Sequence, residues 1–179
     1  MSDNLSAQEF ATQKHAGQFR RNGLPYIEHP KAVAAHVRRV KGDSHKIKDL
    51  EDAAWLHDTI EDTGTTSSEL LTQFNPNVMA LVHELTSDEE ELARVGKTEY
   101  LKKKFIGISS WALVIKLADR LTNLSDLMEA DQTWAKKYAA QTQDILDYLL
   151  ANRKLTGPQQ QLVSEIQAVL EEFFESLRG

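Results

Sequence analysis

The stretch WALVIKLADRLTNLSDLMEA, from Trp111 to Ala130, narrows the possible folds more than any other. Its apolar residues return every three or four positions, the period of a helix with one broad buried face. No glycine or proline interrupts it. A helix this long and this apolar must be covered by other elements. The rest of the chain offers helices for the purpose. Val and Ile stand singly inside helical patterns and never in alternating runs, so no strand is expected.

SAQEFATQKHAGQFR predicts a first helix, with Ser6 and Glu9 as a capping box and Phe10, His15 and Phe19 at helical spacings. Glycine and two prolines in RRNGLPYIEHP end it. A second helix is expected to begin at Pro30 and run through KAVAAHVRRV. Beyond the loop KGDSHK, IKDLEDAAWLHDTI predicts one continuous third helix that buries Leu50, Ala54 and Leu56. TGTTSSELLTQF starts another, and Pro76 opens NVMALVHELT. Residues 88–104 predict a charged helix ending in the basic run LKKKF. Past the break GISS come the Trp111 helix, then QTWAKKYAAQTQDILDYLLANR, and then, after LTGPQQ, the amphipathic QLVSEIQAVLEEFFESLR. The expectation is an all-α, single-domain helical bundle over residues 1–179. Its motif-bearing core would cover about residues 7–150 and its C-terminal helix about 158–178. That last helix can cover the core or join a second subunit, so a homo-oligomer stays open.

Composition removes several classes. There is no cysteine, which excludes disulfides, thiolate metal sites and cysteine nucleophiles. The formal charge of −6 argues against a general grip on nucleic acid backbone. No apolar run reaches the ~20 residues of a membrane helix. MSDNLSAQEF lacks the pattern of a secretory signal, so a cytoplasmic protein is expected.

Against this background AAWLHDTIEDTGTT, residues 53–66, stands out. An apolar helix runs directly into His57, Asp58, Glu61 and Asp62, and charged groups beside a core need partners. His57 and Asp58 are neighbours, about 100° apart around a helix axis, and can share an ion only at its shoulder. Asp58 shares a side with Glu61 and Asp62. One turn can therefore carry ligands and the next can carry acid–base groups. The metalloprotease pattern HExxH is absent. Further ligands must come from elsewhere. His29, in YIEHP, and Asp119, which interrupts VIKLADR, are the candidates. With His57 and Asp58 they make a set of two nitrogens and two oxygens, suited to Mn, Fe or Zn. Each of these residues, taken alone, has an ordinary reading as a hydrogen-bonded core or surface group.

HAGQFRRNGLPYIEHP, then AAWLHDTIEDT, then VIKLADRLTNL, together resemble the histidine–aspartate metal phosphohydrolases, and within them the (p)ppGpp hydrolases. That group comprises the hydrolase domain of the bifunctional alarmone enzymes and the free-standing small alarmone hydrolases. The resemblance spans about residues 7–150. It implies one divalent ion, typically Mn²⁺, on His29, His57, Asp58 and Asp119. It implies that Glu61 and Asp62 prepare the attacking water, with Asp62 nearer the phosphorus. It implies that Arg20, Arg21 and Asn123 bind the nucleotide. Arg21 stands where the family usually has lysine, and LTN replaces the more usual LHN.

The substrate so implied is guanosine 3′,5′-bis(diphosphate), possibly with the pentaphosphate, giving GDP or GTP plus pyrophosphate. Lys116, three residues before Asp119, can add charge for the substrate or lie along the surface. Lys102, Lys103 and Lys104 can form a basic rim or a solvated face. Tyr26 is expected to pack the loop that delivers His29 and to lie near the base. The alternatives are an enzyme of the same metal class acting on another nucleotide, such as an adenosine alarmone, and a catalytically silent alarmone-binding protein.

Overall fold

The computed structural model describes residues 5–178. Among them the regular elements are all helices, with a single isolated β-bridge between Phe19 and Pro25. The all-α expectation holds. The chain divides after Ser87 into two compact units.

The first unit holds α1 (Ala7–Lys14), α2 (Glu28–Lys41), α3 (Ile47–Leu56), α4 (Thr59–Thr63), α5 (Ser67–Gln73) and α6 (Pro76–Leu85). Its centre is α3, on which α1, α2 and α6 all pack. Leu50, Ala53, Ala54 and Leu56 of α3 are fully buried, and the partners bring Phe10, Ala11, Val33, Val37, Val82 and Leu85 to the same core. The helix starts follow local chemistry. The Ser6 hydroxyl accepts from the Glu9 N–H while the Glu9 carboxylate accepts from the Ser6 N–H, a complete capping box. At α6 the Asn75 side chain accepts from the N–H groups of Asn77 and Val78, with Pro76 in the first position.

Two boundaries differ from expectation here. Helix α2 begins two residues before Pro30, which still lies in the first turn, where its missing N–H costs nothing. The expected continuous third helix is broken between Leu56 and Thr59. There the Thr59 hydroxyl donates to the Leu56 carbonyl at 2.7 Å, a side-chain bond that competes with the helix ladder.

The second unit holds α7 (Glu89–Val95), α8 (Lys97–Gly107), α9 (Ser110–Leu124), α10 (Gln132–Asn152) and α11 (Gly157–Ser176). The charged stretch expected as one helix is split at Gly96, whose φ of 83° lies where glycine is favoured. Helix α9 packs against α11, and α8 against α10. Most side chains from Ala112 to Leu124 are buried, as the apolar stripe requires. Lys102 pairs with Glu99 and Asp144, and Lys103 lies 3.8 Å from Glu91, so both lysines are engaged by acids of their own unit. Among the described residues no helix is long and apolar enough to cross a membrane.

One cation closes a helix end in this unit. Arg153, just beyond α10, donates from Nη1 to the carbonyls of Phe105, Ile106 and Ile108 at 2.8, 3.0 and 2.8 Å. These carbonyls belong to the C-terminal end of α8, where unpaired acceptors and the negative pole of the helix coincide. Arg153→Ala is expected to cost about 2 kcal/mol. In thermal denaturation that corresponds to a fall in Tm of roughly 4–8 °C.

Candidate metal centre

In the first unit the site is assembled by two irregular segments. The first is the loop between α1 and α2. The Tyr26 N–H donates to the Gln18 carbonyl at 2.9 Å, and the His29 N–H to the Tyr26 carbonyl at 2.8 Å. The loop thus sets His29 at the second position of α2, where its ring is buried. Its tip is a tight turn. The Arg20 N–H donates to the Leu24 carbonyl at 2.8 Å, and Gly23, at φ 83°, donates to the Arg20 carbonyl at 3.0 Å. Arg21 is exposed on this turn and Arg20 is partly buried.

The second segment is the break between α3 and α4. His57 caps α3 and Asp58 precedes α4. On an unbroken helix their side chains would diverge. Here His57 Nε2 and Asp58 Oδ2 are 2.9 Å apart. His29 Nε2 lies 3.3 Å from His57 Nε2 and 3.4 Å from Asp58 Oδ2. Atoms bound to one ion at about 2.1 Å sit roughly 3 Å from each other, so these separations suit a common cation. The His57 Nδ1 lies 2.8 Å from the Ala54 carbonyl. A carbonyl can only accept, which assigns the proton to Nδ1 and leaves the Nε2 lone pair for a ligand bond.

Glu61 and Asp62 follow on α4, and each is already held. Glu61 Oε1 accepts from the Ser87 N–H. The Tyr26 hydroxyl lies 2.6 Å from Asp58 Oδ2 and 3.1 Å from Asp62 Oδ2. Tyr26 therefore does place its loop, as expected, and it also engages two carboxylates. Burial first, and the charge of Asp58 second, hold the Asp62 carboxyl above the usual carboxylate range. The hydrogen bond from Tyr26 pulls the other way.

His15 and Gln18 also belong to this neighbourhood, although neither stands out in the sequence as a site residue. His15 is buried, with Nδ1 2.7 Å from Gln18 Oε1, and Gln18 Nε2 donates to the Asp62 carbonyl at 2.8 Å. The available signal was the spacing within HAGQ, a histidine at a helix end with an amide three residues on.

In the second unit, Asp119 is buried on α9. Its Oδ1 accepts from Asn123 Nδ2 at 2.7 Å, and its Oδ2 lies 3.0 Å from the Lys116 ammonium. Lys116, Asp119 and Asn123 thus share one side of the helix, as their spacing implied. Beside them Arg120 is buried over the Tyr138 ring, 4.7 Å from its centroid, and donates to the Thr142 hydroxyl at 3.3 Å. Burial pushes the Tyr138 phenol up. His29 and His57 each offer a buried nitrogen, and Asp119 in its own unit a buried carboxylate oxygen, of the kinds that bind divalent metal ions.

Residues 7–156 match the family model described as an HD domain. The chain is 34% identical over 172 residues to guanosine-3′,5′-bis(diphosphate) 3′-pyrophosphohydrolase MESH1 of Mus musculus, covering 94% of this chain and 93% of that protein. It is 35% identical over 141 residues to the guanosine-3′,5′-bis(diphosphate) 3′-pyrophosphohydrolase of Aquifex aeolicus, covering 78% of this chain and 20% of that longer protein. A solved structure described as a metazoan ortholog of SpoT that hydrolyzes ppGpp matches with a TM-score of 0.76 at 25% identity, over 96% of both chains.

The raised Asp62 pKa has a consequence for stability. The folded state holds that proton more tightly than the unfolded chain, so stability falls as pH rises from the ordinary carboxylate pKa to the raised one, and the full penalty is present above it. In metal-free protein Asp62→Asn is expected to raise Tm at pH 7 by about 1–2 °C, a small effect because the group reaches solvent. The gain should vanish below about pH 3, where the carboxyl is protonated in both states. Calorimetry across that range checks the sign.

Proposed function

The chain belongs to the HD-domain family, among the MESH1/SpoT-like (p)ppGpp hydrolases, and from that membership we propose that it removes the 3′-diphosphate of ppGpp, and of pppGpp, as pyrophosphate. The products are GDP and GTP. The observation that carries this is the convergence of His29 Nε2, His57 Nε2 and Asp58 Oδ2 within 3.4 Å of one another, with Asp62 joined to Asp58 through one hydroxyl. In this reading the two units act as one hydrolase domain, in the cytoplasm.

His29, His57, Asp58 and Asp119 would hold the ion, which we assign as Mn²⁺ on the strength of the oxygen and imidazole donors and the family resemblance. When bound, it supplies positive charge against the reacting phosphoryl group. The other roles fall to the chain. Asp62 takes a proton from the attacking water, for which a carboxyl held above its ordinary pKa is suited. The water oxygen bonds to the phosphorus attached to the ribose 3′ oxygen. The bond from phosphorus to that oxygen breaks, and the oxygen regains a proton, so water is consumed and charge balances. Glu61, anchored by the Ser87 N–H, orients the water. Arg20 and Arg21 provide charge-assisted contacts to the outer phosphates. Lys116 and Asn123, on the same side of α9 as Asp119, contact the nucleotide.

Metal-free protein incubated with ppGpp is expected to yield GDP and intact pyrophosphate only after Mn²⁺ is added, resolved by ion-exchange chromatography. Single phosphates as products would redirect the assignment. Asp62→Asn should lower kcat by about 10²–10⁴-fold. Glu61→Gln should lower it by about tenfold, and unchanged turnover would remove Glu61 from its role. Asp119→Asn should leave less than one Mn²⁺ per chain by elemental analysis.

A further inference from the structure

Resting on the hydrolase reading, the role of Asp62 raises a mechanical question. A proton acceptor works only if its carboxylate keeps a fixed aim. Yet Asp62 sits on α4, a helix of five residues that ends at Gly64 with φ 70°. So short a helix has little rigidity of its own.

Its support comes from the loop between α1 and α2, and it comes at two points. The Asp62 main chain is held by Gln18, whose Nε2 donates to the Asp62 carbonyl at 2.8 Å. With the amide nitrogen so used, Gln18 Oε1 accepts from His15 Nδ1 at 2.7 Å, which fixes the amide plane and the imidazole tautomer together. The Asp62 side chain is held by the Tyr26 hydroxyl, 3.1 Å from Oδ2. The Tyr26 ring lies against the His15 ring with centroids 4.7 Å apart and planes at 30°. The Tyr26 main chain is bound to Gln18 as well. His15, Gln18 and Tyr26 thus close a circuit that grips Asp62 by backbone and carboxylate at once. The circuit spans residues 44 and 36 apart in sequence.

The same hydroxyl lies 2.6 Å from Asp58 Oδ2, so its single proton is shared unequally between the two carboxylates, the shorter bond going to Asp58. One oxygen therefore bridges the carboxylate assigned to the ion and the carboxylate assigned to the water. We propose that Tyr26, seated by His15 and Gln18, is a positioning residue that locks the aim of Asp62 to Asp58, so that the acceptor's place is set relative to the ion.

Tyr26→Phe removes the bridging oxygen and keeps the ring on His15. In the Mn²⁺-loaded full chain with ppGpp, kcat is expected to fall about tenfold to a hundredfold. KM should stay within about twofold, with one Mn²⁺ per chain by elemental analysis. Gln18→Leu, which frees the Asp62 carbonyl, should lower kcat with the same unchanged KM and metal content. An unchanged kcat in both variants overturns the proposal. So does a rise in KM alone, which would make Tyr26 a substrate contact, and so does loss of Mn²⁺, which would make it a support for the ligands. A crystal structure of Mn²⁺-loaded Tyr26→Phe tests the brace whatever the substrate. Asp62 displaced or in two orientations is expected, and Asp62 in its original place overturns it. Failure of the unaltered protein to release pyrophosphate counts against the hydrolase reading alone.

Discussion

The interruption of the helix between Leu56 and Thr59 governs the rest of the site. Adjacent side chains on a regular helix diverge by about 100°, which would spread His57 and Asp58 over separate faces. The break turns them toward one point, 2.9 Å apart. Breaking a helix beside a core strands backbone carbonyls, and buried carbonyls must find partners. Two side chains of the site itself supply them. Thr59 binds the Leu56 carbonyl, and His57 binds the Ala54 carbonyl through Nδ1. The second bond also places the proton on Nδ1, so that Nε2 presents its lone pair. The local repair of the helix and the chemistry of the ligand are therefore one interaction.

Asp58, Glu61 and Asp62 lie within five residues, and burial first, then the charge of Asp58, hold the Asp62 carboxyl above its ordinary range. Neutral groups restrain the carboxylates in the first unit. The Tyr26 hydroxyl takes Asp58 and Asp62, and the Ser87 N–H takes Glu61. Hydrogen bonds aim a carboxylate without cancelling its charge, so the site keeps its attraction for a divalent cation. In the second unit Asp119 is treated differently, with an ammonium group at 3.0 Å from one oxygen and an amide on the other.

The sequence carried the fold well where structure is decided locally. The Ser6–Glu9 box, the Asn75–Pro76 start and the apolar stripe of α9 all depend on neighbours within a few residues, and all are present. The break at His57 was not legible, because IKDLEDAAWLHDTI keeps helical period through it and only Thr59, an unremarkable residue, makes the competing bond. Gly96 is a similar case, since one glycine is tolerated in many helices and only its φ of 83° shows the split. Among site residues, His29, His57, Asp58 and Asp119 were legible because their chemistry is costly to bury without purpose. His15 and Gln18 were not. A buried histidine and an amide have ordinary explanations, and the contact that joins them to Asp62, made by Gln18, spans forty-four residues.

The turn that carries Arg20 and Arg21 places two guanidinium groups side by side in a chain of net charge −6. Two hydrogen bonds and Gly23 fix its backbone, so under the proposed function a phosphate bound there would cost little conformational entropy. Arginine at position 21 strengthens that logic. A guanidinium presents a planar fork to phosphate and stays charged under all conditions, whereas an ammonium group is a mobile point charge. A rigid turn suits the fork, because a bidentate contact gains only if its direction is set beforehand. The local positive field then depends on two residues held in place, and the overall acidity of the chain, screened within about 10 Å by salt, has little effect on it.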